Sequence, residues 1–115
     1  KIAVGLIKVK SFRPFPIAEL RETAKKVSVI GVLERCASFG MGGPLYTDLR
    51  SAIYGLKSQP LAIGFVAGLG GRDINKNTVE RCYEVMLETA KTGKVPSNFV
   101  QNGELYYNHI DARKE

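Results

Sequence analysis

The sequence is poor in the residues that build catalytic and metal sites. It has no tryptophan, a single histidine (His109) and two cysteines, Cys36 and Cys82. Zinc and iron–sulfur sites need ligands in pairs at short spacings, and neither cysteine has a second Cys or a His at such a spacing. The sequence therefore predicts no metal site. A Ser–His or Cys–His catalytic pair would depend on His109.

Long apolar runs and dense runs of charge are also missing. The longest apolar run, Leu61 to Leu69, falls far short of the roughly 20 residues of a membrane-spanning helix, and no signal peptide pattern is visible. The formal net charge is +6, but the basic residues are dispersed and lack the interleaved aromatics of a single-strand binding groove. With two cysteines expected to be reduced, we predict a cytoplasmic protein whose partners are neither a membrane nor nucleic acid.

The chain does contain a repeated arrangement of strand, glycine- or proline-rich corner, and helix. Short apolar runs of strand type are each followed by apolar residues at helical spacing. The runs are Ala3–Val9, Val27–Leu33 and Leu61–Ala67. Strands alternating with helices predict an α/β fold with three layers, in which helices cover both faces of a largely parallel sheet. A chain of 115 residues is long enough for one such domain.

The corners that follow the three strands contain the candidate site residues. These are Arg13, then Gly40, Gly42 and Gly43, then Gly70, Gly71, Arg72 and Asp73. Ligands of parallel sheets bind beyond the carboxyl ends of the strands, and a glycine loop before a helix can bind an anion. Neither loop matches a dinucleotide or P-loop fingerprint. Arg72 could hold a carboxylate or a phosphate, although we favour a structural pair with Asp73.

Helix patterns predict which side chains are buried and where the helices end. The second helix should bury Leu45, Leu49, Ala52, Ile53 and Leu56, and the third Val79, Cys82, Met86 and Ala90. Asn77, with Glu80 as its capping partner, should begin the third helix, and Gly93 should end it. We predict an α/β domain over residues 1–92 and an irregular tail over 93–115, which packs on the domain or on a partner.

Three segments in this order resemble the C-terminal part of the alpha subunit of pyruvate:ferredoxin oxidoreductase and its 2-oxoacid:ferredoxin oxidoreductase relatives. They are Val4–Pro16, Ser38–Tyr46 and Gly68–Ile74. The resemblance implies a domain similar to the C-terminal domain of transketolase, with a scaffold role. It also implies that a strand and a helix precede residue 1, so that the sheet is incomplete at its N-terminal end and the chain is not a self-sufficient monomer.

The same resemblance implies membership of an enzyme complex whose active site lies elsewhere. Such a complex oxidatively decarboxylates a 2-oxoacid with coenzyme A and passes the electrons to ferredoxin. Thiamine diphosphate, magnesium and iron–sulfur clusters are expected in other parts of the complex, and no cofactor is expected on this segment. The expected partners are the N-terminal domain of the same subunit and the other subunits. Two alternatives stay open, namely a free-standing anion- or nucleotide-binding module and a docking surface for an acidic redox protein.

Overall fold

The computed structural model of the chain describes residues 2–38, 42–96, 100–102 and 105–108. Within these residues, three helices and four strands follow one another in the order α1 (Ile17–Ala24), β1 (Val29–Glu34), α2 (Pro44–Ile53), β2 (Leu61–Ala67), α3 (Lys76–Thr92), β3 (Val100–Asn102) and β4 (Leu105–Asn108). A short 3₁₀ turn, Leu69–Gly71, lies between β2 and α3. None of the helices in these ranges is both long and apolar enough to cross a bilayer.

The described strands form a mixed sheet in the order β1-β2-β4-β3. β1 and β2 are parallel, with Val29 opposite Leu61 and Glu34 opposite Val66. α2 makes the crossover between them, as a parallel pair requires. β4 runs antiparallel to β2, and β3 runs antiparallel to β4. The sequence predicted an irregular tail after residue 92, whereas the backbone described there adds a short hairpin to the domain's own sheet.

Helices cover both faces of the parallel strands. On one face, Ile63 and Phe65 of β2 pack against Cys82 and Val85 of α3. On the other face, Val32 of β1 belongs to a second core that includes buried side chains of α1 and α2, namely Leu20, Ala24, Tyr46, Leu49 and Ile53. Successive side chains of a strand point to opposite faces, so each strand serves both cores. The α/β fold is confirmed, and its layers are those that the sequence predicted.

Tyr46 is the largest fully buried side chain among the described residues, and the predicted stripe of α2 did not include it. Its ring lies over β2 at Gly64, where an added Cβ would come within 2.7 Å of the ring. Its hydroxyl donates a hydrogen bond of 3.1 Å to the main-chain oxygen of Ala62. The predicted positions Leu45 and Leu56 are half-buried. The side of α2 that carries Tyr46 therefore faces the sheet, because Gly64 on β2 leaves room for the tyrosine ring.

The ends of the helices agree with the sequence at some points and differ at others. Pro44 is the first residue of α2, in the predicted first turn, and Gly93, with φ of 69°, ends α3 as predicted. The predicted N-cap at Asn77 is wrong, because α3 begins two residues earlier. The side chain of Asn75 accepts a hydrogen bond of 3.0 Å from the amide of Thr78 and is the N-cap.

The buried side of α3 also differs from the predicted one. Cys82 is buried as predicted, and the predicted Met86 is half-buried against the same core, but the other buried residues on that side are Val85 and Thr89. The predicted Val79 and Ala90 are exposed. A threonine at a core position weakens the apolar pattern from which the face of a helix is read, so the pattern pointed to a face rotated from the real one.

The strand predicted over Ala3–Val9 is absent. Residues 2–10 join no strand pairing, and most of their apolar side chains are exposed: Ile2 by 58%, Val4 by 61%, Leu6 by 88% and Ile7 by 50%. A strand forms only where another strand satisfies its main-chain hydrogen bonds. The outer edge of β1 has no strand partner among the described residues, and this segment does not lie along it.

Candidate functional site

The carboxyl ends of β1 and β2 lie at the same edge of the sheet, where ligands of parallel sheets bind. Two consecutive residues, Glu34 and Arg35, lie between the second and third predicted corners at this edge. An added Cβ on Gly43 would overlap the carboxylate of Glu34, and one on Gly68 would lie 2.8 Å from Nε of Arg35. The edge therefore brings the second and third predicted corners together. Gly40, which the sequence placed in this site, lies outside the described residues.

The N-terminus of α2 holds a carboxylate from the chain itself. The amide of Leu45 donates to Oε1 of Glu34 over 3.0 Å, and the amide of Tyr46 donates to Oε2 over 2.9 Å. The first amides of a helix have no partner within it, and the positive end of the helix dipole favours an anion. Gly42 and Gly43 are buried, and Glu34 takes the place of an external anion beside them.

Sequence reasoning did not identify Glu34. Its signal is an acidic residue at the last position of a strand, followed by Gly42-Gly43-Pro44 at the start of the next helix. The acid is far from the helix along the chain, so the pairing becomes visible only when β1 and α2 are placed side by side. The glycine loop that suggested an anion site is thus a place where the chain binds its own carboxylate.

The third corner is a tight turn with exposed charges. Gly68, Gly70 and Gly71 have φ of 73°, 66° and 79°, the left-handed region that glycine adopts without strain. Arg72 and Asp73 are exposed, and neither side chain makes a hydrogen bond or a salt bridge with a described residue. The structural pair that we favoured for them is absent. These charged groups point to solvent and are accessible to another molecule.

Arg13, the site residue of the first corner, is held by the chain itself. Its Nη1 lies 2.7 Å from Oδ2 of Asp48 on α2 and 2.7 Å from the main-chain oxygen of Phe12. Its guanidinium also lies 4.1 Å from the ring centroid of Phe12. The peptide bond from Arg13 to Pro14 is cis. This arginine fastens the segment before α1 to the outside of α2.

The C-terminus of α2 is closed by another arginine. Nη1 of Arg21, on α1, donates to the main-chain oxygens of Ala52 and Tyr54 over 2.7 and 3.1 Å. A cation is favourable at this end of the helix, as an anion is at the other. Both ends of α2, a helix of ten residues, are thus bound by charged side chains from neighbouring elements. Glu34 of β1 binds the N-terminus, and Arg21 of α1 binds the C-terminus. The sequence predicted neither contact.

The described residues offer little for catalysis. Cys82 is buried against the sheet, and this burial raises the pKa of its thiol to about 11, so the thiol stays protonated at neutral pH. Its predicted role as a core residue is confirmed. Cys36 is an exposed free thiol. Within the described residues, no three His, Cys, Asp or Glu side chains lie close enough to hold a metal ion. His109 lies outside the described residues.

Comparison with known proteins gives concordant matches. A family model described as pyruvate:ferredoxin oxidoreductase core domain II matches residues 1–79, which include all three corners. Pyruvate synthase subunit PorA of Pyrococcus furiosus is 38% identical over 99 residues, which are 84% of this chain and 25% of that protein. Ketoisovalerate oxidoreductase subunit VorA of the same organism is 40% identical over 97 residues, again 84% of this chain and 25% of that protein.

A relative from another organism shows the same relation. Pyruvate synthase subunit PorA of Thermotoga maritima is 40% identical over 81 residues, which are 70% of this chain and 21% of that protein. The chain thus spans about a quarter of the length of the curated relatives that it matches.

Proposed function

Since the chain belongs to the pyruvate:ferredoxin oxidoreductase family, in which it corresponds to core domain II, we propose that it is a non-catalytic assembly domain of the alpha subunit of such an enzyme. The reaction of the whole complex would convert a 2-oxoacid, coenzyme A and oxidised ferredoxin to an acyl-CoA, carbon dioxide and reduced ferredoxin. Pyruvate and ketoisovalerate appear in the names of the relatives, and 2-oxoacids are therefore the substrate class that we propose.

The observation that carries this proposal is the contact of the Glu34 carboxylate with the N-terminus of α2. The most evident ligand position of the fold, the start of α2 behind a glycine loop, is filled by this carboxylate through two main-chain hydrogen bonds. A nucleotide or a phosphate would have to displace it. The same contact holds the N-terminus of α2 against the carboxyl end of β1. The residues that resemble a binding loop thus hold the helix in place, which disfavours the anion-binding module and supports an assembly role.

The free edge of the sheet supports the same role. The outer edge of β1 has no strand partner among the described residues, and the apolar side chains of the preceding segment lie exposed, namely Ile2, Val4, Leu6 and Ile7. A groove of about 270 Å³ between this segment and α1 is lined by apolar residues, among them Ile7 and Leu20, and by the charged residues Lys8, Lys10 and Glu19. The exposed apolar side chains of the segment form a surface that is typical of a contact with another protein element. We propose that the N-terminal domain of the same subunit covers it, as the family resemblance implies.

Cofactors are proposed to lie in other parts of the complex. Iron–sulfur clusters are held by groups of cysteine side chains, and within the described residues no three His, Cys, Asp or Glu side chains lie close enough to hold a metal ion. Ferredoxin is the proposed electron acceptor of the complex. The role of this domain would be to hold the parts that carry these groups in their relative positions.

The proposal is tested by reconstitution of the complex. The alpha subunit that contains this chain would be produced with its partner subunits, either unchanged or with Glu34→Gln. The fraction of assembled complex is measured by analytical ultracentrifugation, and the thiamine environment by circular dichroism. We expect less assembled complex and an unchanged thiamine signal in the complex that forms. Normal assembly with loss of thiamine diphosphate binding would overturn the proposal. Glu88→Gln, at an exposed position of α3, is the control.

A further inference from the structure

Most of the arginines that the structure describes have a partner within the chain. Those with a salt bridge, a main-chain acceptor or an aromatic ring as partner are Arg13, Arg21, Arg50 and Arg81. Arg35 and Arg72 differ from them. Both are exposed, and neither side chain makes a hydrogen bond or a salt bridge with a described residue.

The two arginines lie at the same place in the fold. Arg35 follows β1 directly, and Arg72 follows the glycine turn after β2. Both border Gly68, where an added Cβ would lie 2.8 Å from Nε of Arg35 and 3.2 Å from the main-chain oxygen of Arg72. The missing side chain of Gly68 leaves the space in which Arg35 lies. The pair thus occupies the carboxyl edge of the parallel strands.

No carboxylate of the described residues neutralises this pair. Glu34 is adjacent to Arg35 in sequence, but both of its oxygens accept hydrogen bonds from the amides at the start of α2. Asp73 is adjacent to Arg72, yet it is exposed and forms no salt bridge with it. Two guanidinium groups are therefore free to bind an anion that comes from outside the domain.

We propose that Arg35 and Arg72 bind a carboxylate of a neighbouring polypeptide in the assembled enzyme, an inference that rests on the assembly role proposed above. The planar guanidinium forms two parallel hydrogen bonds with a carboxylate, and both arginines are exposed. The net charge of +6 favours the approach of an acidic surface. Arg13 is not part of this contact, because Asp48 already holds it.

The first test measures assembly of the complex against salt concentration. The full-length subunit, with its partner subunits, is compared with Arg35→Gln, Arg72→Gln and the double variant by analytical ultracentrifugation. Each single change should weaken assembly about tenfold, because the amide of Gln can still donate one hydrogen bond and one charge-assisted hydrogen bond is lost. The double variant should also show a flatter dependence on salt. Lys57→Gln removes one exposed charge beyond the other end of α2 and should change nothing.

A second test identifies the partner group. Arg35→Lys and Arg72→Lys place an amine at each position, and a carbodiimide then links that amine to a carboxylate in direct contact. Mass spectrometry should find the new lysines joined to an Asp or Glu of a neighbouring polypeptide. No crosslink, together with calorimetric binding of inorganic pyrophosphate that the double Gln variant loses, would assign the edge to a phosphate and overturn the proposal.

The outcomes separate this inference from the assembly role. If the Gln variants assemble as the unchanged subunit does, or if Lys57→Gln weakens assembly equally, the carboxylate contact is refuted while the assembly role stands. If a subunit that lacks this whole domain assembles normally, the assembly role itself is refuted. Because neither arginine has a described partner in the chain, a thermal melt of the variants should match that of the unchanged subunit.

Discussion

Replacement of Glu34 by glutamine tests how α2 is held. The carboxylate accepts hydrogen bonds from two main-chain amides, and a glutamine can accept only one, since its amino group would face the second amide. Hydrogen bonds to a charged group contribute about 1.5–3 kcal/mol each, and an anion at a helix N-terminus about 0.3–1 kcal/mol. We therefore expect Glu34→Gln to lower the free energy of unfolding by about 2–4 kcal/mol.

The assay is denaturant unfolding of the subunit that contains this chain, combined with hydrogen exchange of individual amides. Exchange at Leu45 and Tyr46 should become faster by a larger factor than exchange in α3, because the lost bonds involve these two amides. The control Glu88→Gln should change the free energy of unfolding by no more than about 0.5 kcal/mol, as is usual for exposed positions. An unchanged unfolding midpoint, or unchanged exchange at both amides, would refute the assigned role of Glu34.

Two further predictions follow from the same structure. Gly43→Ala should lower the stability of the domain about as much as the loss of the Glu34 carboxylate, because φ of −65° suits alanine and the destabilisation comes from overlap of the new Cβ with that carboxylate. In a double-mutant cycle with Glu34→Ala, the two losses of stability should therefore not add. The control Gly5→Ala, with no atom within 4 Å of its added Cβ, should leave the stability unchanged. Iodoacetamide should modify Cys36 rapidly and Cys82 slowly, because Cys82 is buried and burial raises the pKa of its thiol from 9.0 to about 11. The thiol of the unfolded chain ionises at lower pH than that of the folded chain, so the free energy of unfolding should fall as the pH rises from 9 to 11. Cys82→Ala should remove this pH dependence, and a pH profile that the replacement leaves unchanged would contradict the prediction.

Local patterns predicted much of the fold. Pro44 and Gly93 mark the ends of helices through their own backbone preferences, and Cys82 lies on an apolar side of a helix. Three alternations of apolar runs with helical spacing were enough to predict helices on both faces of a sheet. Such features depend on residues close together in sequence, which is why they can be predicted without coordinates.

Features that depend on distant parts of the chain were missed. The burial of Tyr46 depends on Gly64, and the start of α2 depends on Glu34, because in each case the partner comes from another element. The apolar run Ala3–Val9 has the composition of a buried strand, but a strand also needs an adjacent strand, and composition does not supply one. The hairpin of β3 and β4 was missed for a related reason, since two short strands have little pattern of their own and form by pairing with β2.

For the candidate site residues, the sequence predicted their position at the edge of the sheet better than the contacts that they make there. Gly43 and Arg72 do lie at one edge of the sheet, since parallel strands end on the same side. The role of Gly43 could not be predicted, because the group it accommodates belongs to β1. Arg35 was not singled out at all, since a single arginine after a strand has no signal in the sequence until Gly68 is seen beside it.

The two charged contacts at the ends of α2 bear on how relatives can be recombined. A chimera that exchanged residues 44–53 alone would separate the helix from Glu34 and Arg21, which belong to β1 and α1. The smallest segment that can be exchanged between homologous subunits therefore extends from residue 21 to the end of α2, so that the helix travels with both of the side chains that close it.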